Sequence, residues 1–309
     1  MLSRRSVRVK VMQLLFNLGR DKDLTQKDVL KRYSQSVEDA YELYLLNFYA
    51  LLRIVKWAVK DEEKRHGKHL PSDYDKKFTA KLYTNEAVQS AVKNEVLQKK
   101  FEQLSFPMMI DEDMTERIYK EFAKSDAYKE YITDDNADQT EILLELYRFC
   151  RQNELFNEAM EDAYSCWIDD KSLVVGAVKK SLKALPAEGA FFRENLPQDE
   201  TVSEFGEQLL RKCIEEDAEL IRIIEPTLEN WDKERVATID LILLKMAVCE
   251  FLYFETIPMK VTLNEYLEIA KNYSTEKSKD FINGILDRLM KELTDAGKIN
   301  KSGRGLIDE

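Results

Sequence analysis

Histidine, proline and glycine are scarce in this chain of 309 residues, at 2, 6 and 9, and its 4 cysteines stand far apart. Each shortage removes a chemistry. His66 and His69 cannot supply the two Glu-x-x-His pairs of a helix-bundle di-iron site, and one HxxH in a lysine-rich stretch is a poor metal signal. No GxGxxG or GxxxxGK[ST] occurs, so the simplest dinucleotide and P-loop signatures are missing. Cys150, Cys166, Cys213 and Cys249 form no CxxC and read as small apolar residues or idle thiols in a reducing compartment. No apolar run approaches the roughly 20 residues of a membrane span. The opening residues lack the apolar block of a secretory signal, so a cytoplasmic location is expected. Asp111-Glu112-Asp113 and Asp134-Asp135 read as helix-leading or solvated carboxylates. With no nucleophile-and-base arrangement either, neither an enzyme nor a cofactor is expected.

What the chain does contain is helical periodicity. Apolar residues recur every three or four positions through most of its length, and no strand-helix alternation appears. The fold class is therefore all-α. Helices are expected over Ala40 to Val59, Asn85 to Leu104, Asp138 to Cys150, Leu155 to Trp167 and Leu173 to Leu185, with a polar loop from Asp61 to Lys81. The stretch Pro186 to Asp199, with two prolines and Gly189, is the clearest break.

Beyond it, Thr201-Val202-Ser203-Glu204 and Thr262-Leu263-Asn264-Glu265 have capping-box spacing. Leu209 to Ile224 carries one broad apolar stripe. From Glu234 to Val248 the chain is apolar nearly all round, as a helix central to a bundle would be. A final helix is expected from about Thr275, running through Asn283-Gly284 because Phe281, Ile285, Leu289 and Leu293 keep helical spacing on both sides. Gly284 costs such a helix roughly 1 kcal/mol, which suggests close approach by another helix or by a ligand backbone.

Charge is unevenly placed. The chain carries a formal charge of -11, yet Arg4, Arg5, Arg8, Lys10 and Arg20 precede the first acidic residue, Asp21. Val7, Val11, Leu14, Leu15 and Leu18 interleave with them, making an amphipathic helix whose basic end could hold phosphates. Solvated arginines on an ordinary first helix are the alternative. At the other end of the chain Lys279, Phe281, Asn283 and Arg288 offer two cations, an aromatic and an amide, the groups that grip unpaired RNA. Glu250, near the end of the most apolar helix, needs a cation or hydrogen bonds, from a partner or from within the chain.

Several separated motifs then recur together. Trp231-Asp232-Lys233-Glu234-Arg235-Val236, Ile239-Asp240, Leu243 to Glu250, Ile257-Pro258-Met259-Lys260-Val261, Asn264-Glu265, Ala270-Lys271 and Phe281 to Asp287 strongly resemble the NusB family of bacterial transcription antitermination factors. Arg4 to Arg8 followed by Val11 to Phe16 is similar to that family's first helix. The resemblance covers about residues 1 to 20 and 201 to 294, leaving 21 to 200 as an extra helical region of unknown role and 295 to 309 as a polar tail.

The resemblance implies a helical RNA-binding adaptor without catalytic chemistry. Such a protein pairs with the ribosomal protein NusE, grips the single-stranded boxA element of ribosomal RNA leaders, and helps RNA polymerase pass terminators. Position by position it implies phosphate contacts from Arg4, Arg5 and Arg8, with Gln13 one helical face further on. Lys279 and Arg288 would add phosphate contacts, Phe281 would stack on a base and Asn283 would hydrogen-bond. Phe16 and Glu250 would face NusE. A helical protein-interaction scaffold that has lost RNA binding is the alternative. The first helix is expected to pack with residues 201 to 294, burying Met12, Leu15, Leu243, Met246, Ile285 and Leu289.

Overall fold

A computed structural model describes residues 1–228 and 237–306. The resemblance motif Trp231 to Val236, and the start of the apolar run at Glu234, lie outside the described residues. All regular elements among the described residues are helical. The ten that matter here are α1 (Arg4–Arg20), α2 (Gln26–His66), α3 (Glu112–Phe122), α4 (Gln139–Gln152), α5 (Trp167–Lys183), α6 (Gln208–Glu215), α7 (Asp217–Ile224), α8 (Thr238–Tyr253), α9 (Met259–Tyr273) and α10 (Ser278–Asp295). The chain divides into two compact units. One comprises Met1 and Glu38–Pro197, the other Leu2–Val37 and Gln198–Glu309.

The second unit brings the two ends of the chain together. Ser3 caps α1, its hydroxyl accepting from the Ser6 amide while the Ser6 hydroxyl accepts from the Ser3 amide. Val7, Val11, Met12 and Leu14 are buried on α8 and on the π-helical segment Val202–Glu207. Leu15 is only half-buried, because it lines a cavity of about 370 Å³ bounded by Ile214, Leu241 and Ile242. α8 is buried over most of its surface, as its long apolar run requires, with Thr238 and Tyr253 exposed at its two ends, and α9 and α10 pack on it and on each other. Leu243, Met246, Ile285 and Leu289 are all buried. Buried Asp240 accepts from the Ser274 hydroxyl at 2.5 Å and the Ser278 hydroxyl at 2.7 Å, tying the α9–α10 junction to α8.

Neither expected capping box forms. The chain is already helical from Asp199, so Thr201 caps nothing. α9 begins at Met259 behind Pro258, which puts Thr262 and Glu265 inside the helix, one turn apart. Their side chains reach Glu250 and Arg5. A spacing of three serves a cap and a shared helix face equally well. α10 begins at Ser278, and Ser278 reaches back to accept from the Thr275 amide. It then runs unbroken through Asn283-Gly284.

One glycine here is required by packing. A Cβ on Gly206 would lie 2.0 Å from the Tyr33 hydroxyl oxygen and 2.2 Å from Val7 Cγ1. That Tyr33 hydroxyl donates to the Val202 carbonyl at 2.8 Å, so it cannot retreat without losing a hydrogen bond. Gly206→Ala is expected to destabilise the chain by at least about 1 kcal/mol through overpacking, measured as a lowered urea midpoint.

In the first unit the residues of α2 from Glu38 onward supply Tyr44, Leu45, Phe48 and Ile54 to an aromatic-rich core shared with Phe101, Phe106, Tyr147 and Trp167. Here α2 reaches His66, further than the expected stop at Val59. Asp61 and Arg65 pair at i,i+4 on that last stretch, and Lys64, Arg65 and His66 suit the C-terminal end of the helix dipole. The expected polar loop holds a short helix, Asp73–Lys77, capped by Ser72. Asn85 to Leu104 divides into Glu86–Val92 and Glu95–Gln103, because Asn94 caps the second piece by accepting from the Leu97 amide. Likewise Trp167 opens α5 rather than closing the helix before it, which ends at Ala163.

Candidate nucleic-acid interface

Arg8 and Glu250, expected to face RNA and a protein partner, face each other. Arg8 Nε and Nη2 donate to the two Glu250 oxygens at 2.7 and 2.8 Å, with side-chain exposures of 2% and 0%. Tyr266 and Thr262 hydroxyls donate to the same carboxylate at 2.6 and 3.1 Å. The guanidinium also lies over the Phe205 and Tyr266 rings, 4.9 and 5.7 Å from their centroids. Burial would lower the Arg8 pKa, but the Glu250 charge and hydrogen bonds hold it above its usual value, with Tyr266 and Glu265 adding to them. Burial and the Glu250 charge push the Tyr266 hydroxyl up.

Arg8 therefore cannot hold a phosphate, and Glu250 cannot receive a partner. The reason is positional. Residue 250 lies on the buried side of α8 among Ala247, Val248, Cys249 and Phe251, and Arg8 follows Val7 on the inward face of α1. Sequence reasoning missed Phe205, Thr262 and Tyr266 as the cradle. The i,i+4 spacing of Thr262 and Tyr266 was the available signal.

The outward arginines are different. Arg4 is half-buried, over the Phe205 ring, and donates to exposed Glu200 at 2.9 Å. Arg5 is 51% exposed and grips Glu265 with two bonds of 2.8 and 2.7 Å. That hydrogen bonding, against some desolvation, holds the Glu265 carboxyl below its ordinary range. Surface pairs of this kind contribute roughly 0–1 kcal/mol and exchange readily for another anion.

One turn beyond Glu265 stands exposed Glu268, and it gathers cations from three helices. Its carboxyl is held low first by a hydrogen bond from Lys271 on α9, then by the charges of Lys271, Arg5 on α1 and Lys279 on α10. Arg5 and Lys279, although 273 residues separate them in sequence, thus both act on one carboxylate through its electrostatic field. Lys271 and Glu268 complete the patch and were not foreseen.

The α10 residues do not share one face. At about 100° per residue, Lys279 and Asn283 fall on one flank and Phe281 and Arg288 on the other, roughly 160° apart for Lys279 and Phe281. Asp280, Gly284 and Asp287 form the crest between them. Asn283 donates to Asp287 at 3.3 Å and Arg288 to Glu292 at 2.7 Å. Phe281 is half-buried. A Cβ on Gly284 would meet nothing within 4 Å, so no packing among the described residues calls for this glycine. The helix-contact explanation for it fails. Gly284→Ala is expected to raise stability by about 1 kcal/mol, seen as a higher urea midpoint at unchanged slope. On α1, Phe16 lies about three turns beyond Arg5 on nearly the same face, half-buried beneath the Arg20 guanidinium at 5.3 Å, while Gln13 lies about 80° round the helix.

The comparisons with known proteins bear on this unit. A family model described as the NusB family matches residues 172–291. The transcription antitermination protein NusB of Salinibacter ruber is 44% identical over 118 residues, which is 38% of this chain and 74% of that protein. The chain belongs to the NusB family. Its NusB relative in Chloroherpeton thalassium is 39% identical over 115 residues, 37% of this chain and 54% of the relative. A third NusB, from Listeria monocytogenes, is 42% identical over 99 residues, 32% of this chain and 77% of that protein. No solved structure matches. The NusB match begins within α5 of the first unit and ends within α10, and it does not include α1.

Proposed function

We propose that this chain is a non-catalytic, RNA-binding transcription antitermination factor that pairs with ribosomal protein NusE and binds boxA-like single-stranded leader RNA, acting on RNA polymerase only through that complex. The observation that carries the reading is the 44% identity to an antitermination protein across 74% of its length. The site chemistry is compatible with it. Arg4, Arg5 and Lys279 would take phosphates on the flank where α1, α9 and α10 meet, with Lys271 beside them. Asn283 would hydrogen-bond on that flank. Phe281 would stack a base, and Arg288 would hold a phosphate, on the opposite flank. RNA crossing from one to the other would pass over Gly284, where the open backbone permits close approach. Phe16 would face NusE, with Gln13 between the two surfaces. No helix among the described residues is long and apolar enough to cross a membrane.

Calorimetric mixing with NusE, followed by titration of boxA-like RNA, tests both parts. A heterodimer that binds RNA more tightly than this chain alone is expected. Arg4→Gln with Arg5→Gln should weaken binding to many single-stranded sequences and reduce the salt slope by about 0.7 for each phosphate that is no longer neutralised. Absence of a complex at tens of micromolar, where even weak specific interfaces are detectable, would favour a scaffold that has lost RNA binding.

A further inference from the structure

The first unit contains a cleft of about 340 Å³ between α2 and α3 whose charge runs against that of the chain. Both walls repeat one spacing. Trp57, Lys60, Asp61, Lys64 and Arg65 come from α2, and Glu116, Tyr119, Lys120, Ala123 and Lys124 from α3 and the residues just after it. That is five cations against two carboxylates in a chain of net charge -11.

Both carboxylates are already engaged. Asp61 accepts from Arg65 Nε and from the Tyr119 hydroxyl, each at 3.0 Å, and Glu116 pairs with Lys120 at 2.6 Å. Lys60, Lys64 and Lys124 are the surplus. Lys60 lies 4.0 Å from the Trp57 ring centroid, while Lys64 reaches Glu116 only as a field. No ion pair within 4 Å involves Lys64 or Lys124 among the described residues. Below these ammonium groups the floor is apolar and aromatic, with Trp57 held in place by the bond from its indole N–H to Thr115 Oγ1 at 3.0 Å.

We propose that this cleft is a second contact for single-stranded RNA, its lysines holding successive phosphates and the Trp57 ring receiving a base once Lys60 leaves it for a phosphate. Ammonium groups over an aromatic floor are the recurrent means of holding single-stranded nucleic acid without reading its sequence. The repeat favours a chain over a free nucleotide. Lys60 and Lys64, like Lys120 and Lys124, are one turn apart, about 6 Å along the axis. A repeating positive ladder matches a repeating polyanion, whereas a mononucleotide uses a single rung. The inference deepens the RNA-binding reading and rests on it. Its role would be to retain RNA flanking the specific element.

The test is fluorescence anisotropy on the full chain, with a short boxA-like oligonucleotide, a longer one extended by uridines, and AMP, over a range of salt. The variant is Lys60→Gln, Lys64→Gln, Lys124→Gln, whose exposed side chains leave the core untouched. It should bind the short RNA as wild type does. Extended RNA should lose about tenfold or more in affinity at low salt, with the salt slope reduced by about 2. An unchanged slope and affinity for extended RNA overturns the proposal, as does lysine-dependent binding of AMP without any effect on the extended RNA. Arg5→Gln and Phe281→Ala, run in parallel, report the other surface. If they leave the short RNA bound while the lysine variant loses the extension, the boxA assignment fails and the cleft stands.

Discussion

Glu250→Ala is expected to lower the stability of this chain by about 3 to 5 kcal/mol, a large part of the roughly 5 to 15 kcal/mol typical of folded domains. The loss arises on the other side of the pair. Without Glu250, the Arg8 guanidinium stays 2% exposed, above the Phe205 ring and deprived of the carboxylate that took two of its donors. Tyr266 and Thr262 lose their acceptor as well. Arg8→Met with Glu250→Leu should recover most of the loss, because a buried pair replaced whole by apolar residues of similar volume is often neutral or better. Urea unfolding of both single variants and the double variant checks this, the coupling being read from the cycle. A Glu250→Ala protein with wild-type stability that fails only to bind NusE would restore the carboxylate to a partner-facing role.

Phe281→Ala is expected to weaken boxA-like RNA binding by about 1 to 3 kcal/mol, roughly fivefold to 150-fold, with the salt slope unchanged. Lys279→Gln should do the reverse, changing the slope by about 0.7 with a smaller loss at high salt. The two residues stand on opposite flanks of α10, which lets their effects be separated. RNA that touches both must cross the Asp280–Gly284–Asp287 crest, where two carboxylates repel phosphate and only the glycine admits it. Anisotropy titrations of both variants at several salt concentrations provide the measurement. If both bind as wild type does, the RNA surface lies elsewhere.

Much of the second unit was legible because its signals were redundant. The α8 run is apolar at most positions, and burial of most of its surface follows from that alone. α10 keeps its spacing through Asn283-Gly284, so a helix outweighs the turn that this dipeptide ordinarily marks. Polar residues were harder to place. A buried ion pair joins residues 242 positions apart, and nothing in the local pattern says that Arg8 turns inward while Arg5 turns outward, beyond the company Arg8 keeps with Val7 and Val11. Thr262 and Glu265 read as a cap since the spacing is the same, and only Pro258 showed where α9 starts. The Glu268 patch was invisible for a related reason, its three cations coming from three helices. In the first unit Lys64 and Arg65 fell in the expected polar loop, so their helical register with Lys60 was not read, and the match on α3 is a matter of how the chain folds back.

The Arg8–Glu250 pair also sets an order of events during synthesis. The Glu250 carboxylate is made 242 residues after Arg8. At about 5 to 20 residues per second that interval is roughly 10 to 50 seconds. For that interval the α1 segment has no α8 to cover its apolar stripe, and Glu38–Pro197, contiguous in sequence apart from Met1, is completed within it. The growing chain therefore carries a basic and apolar segment without its native cover until α8 has been made.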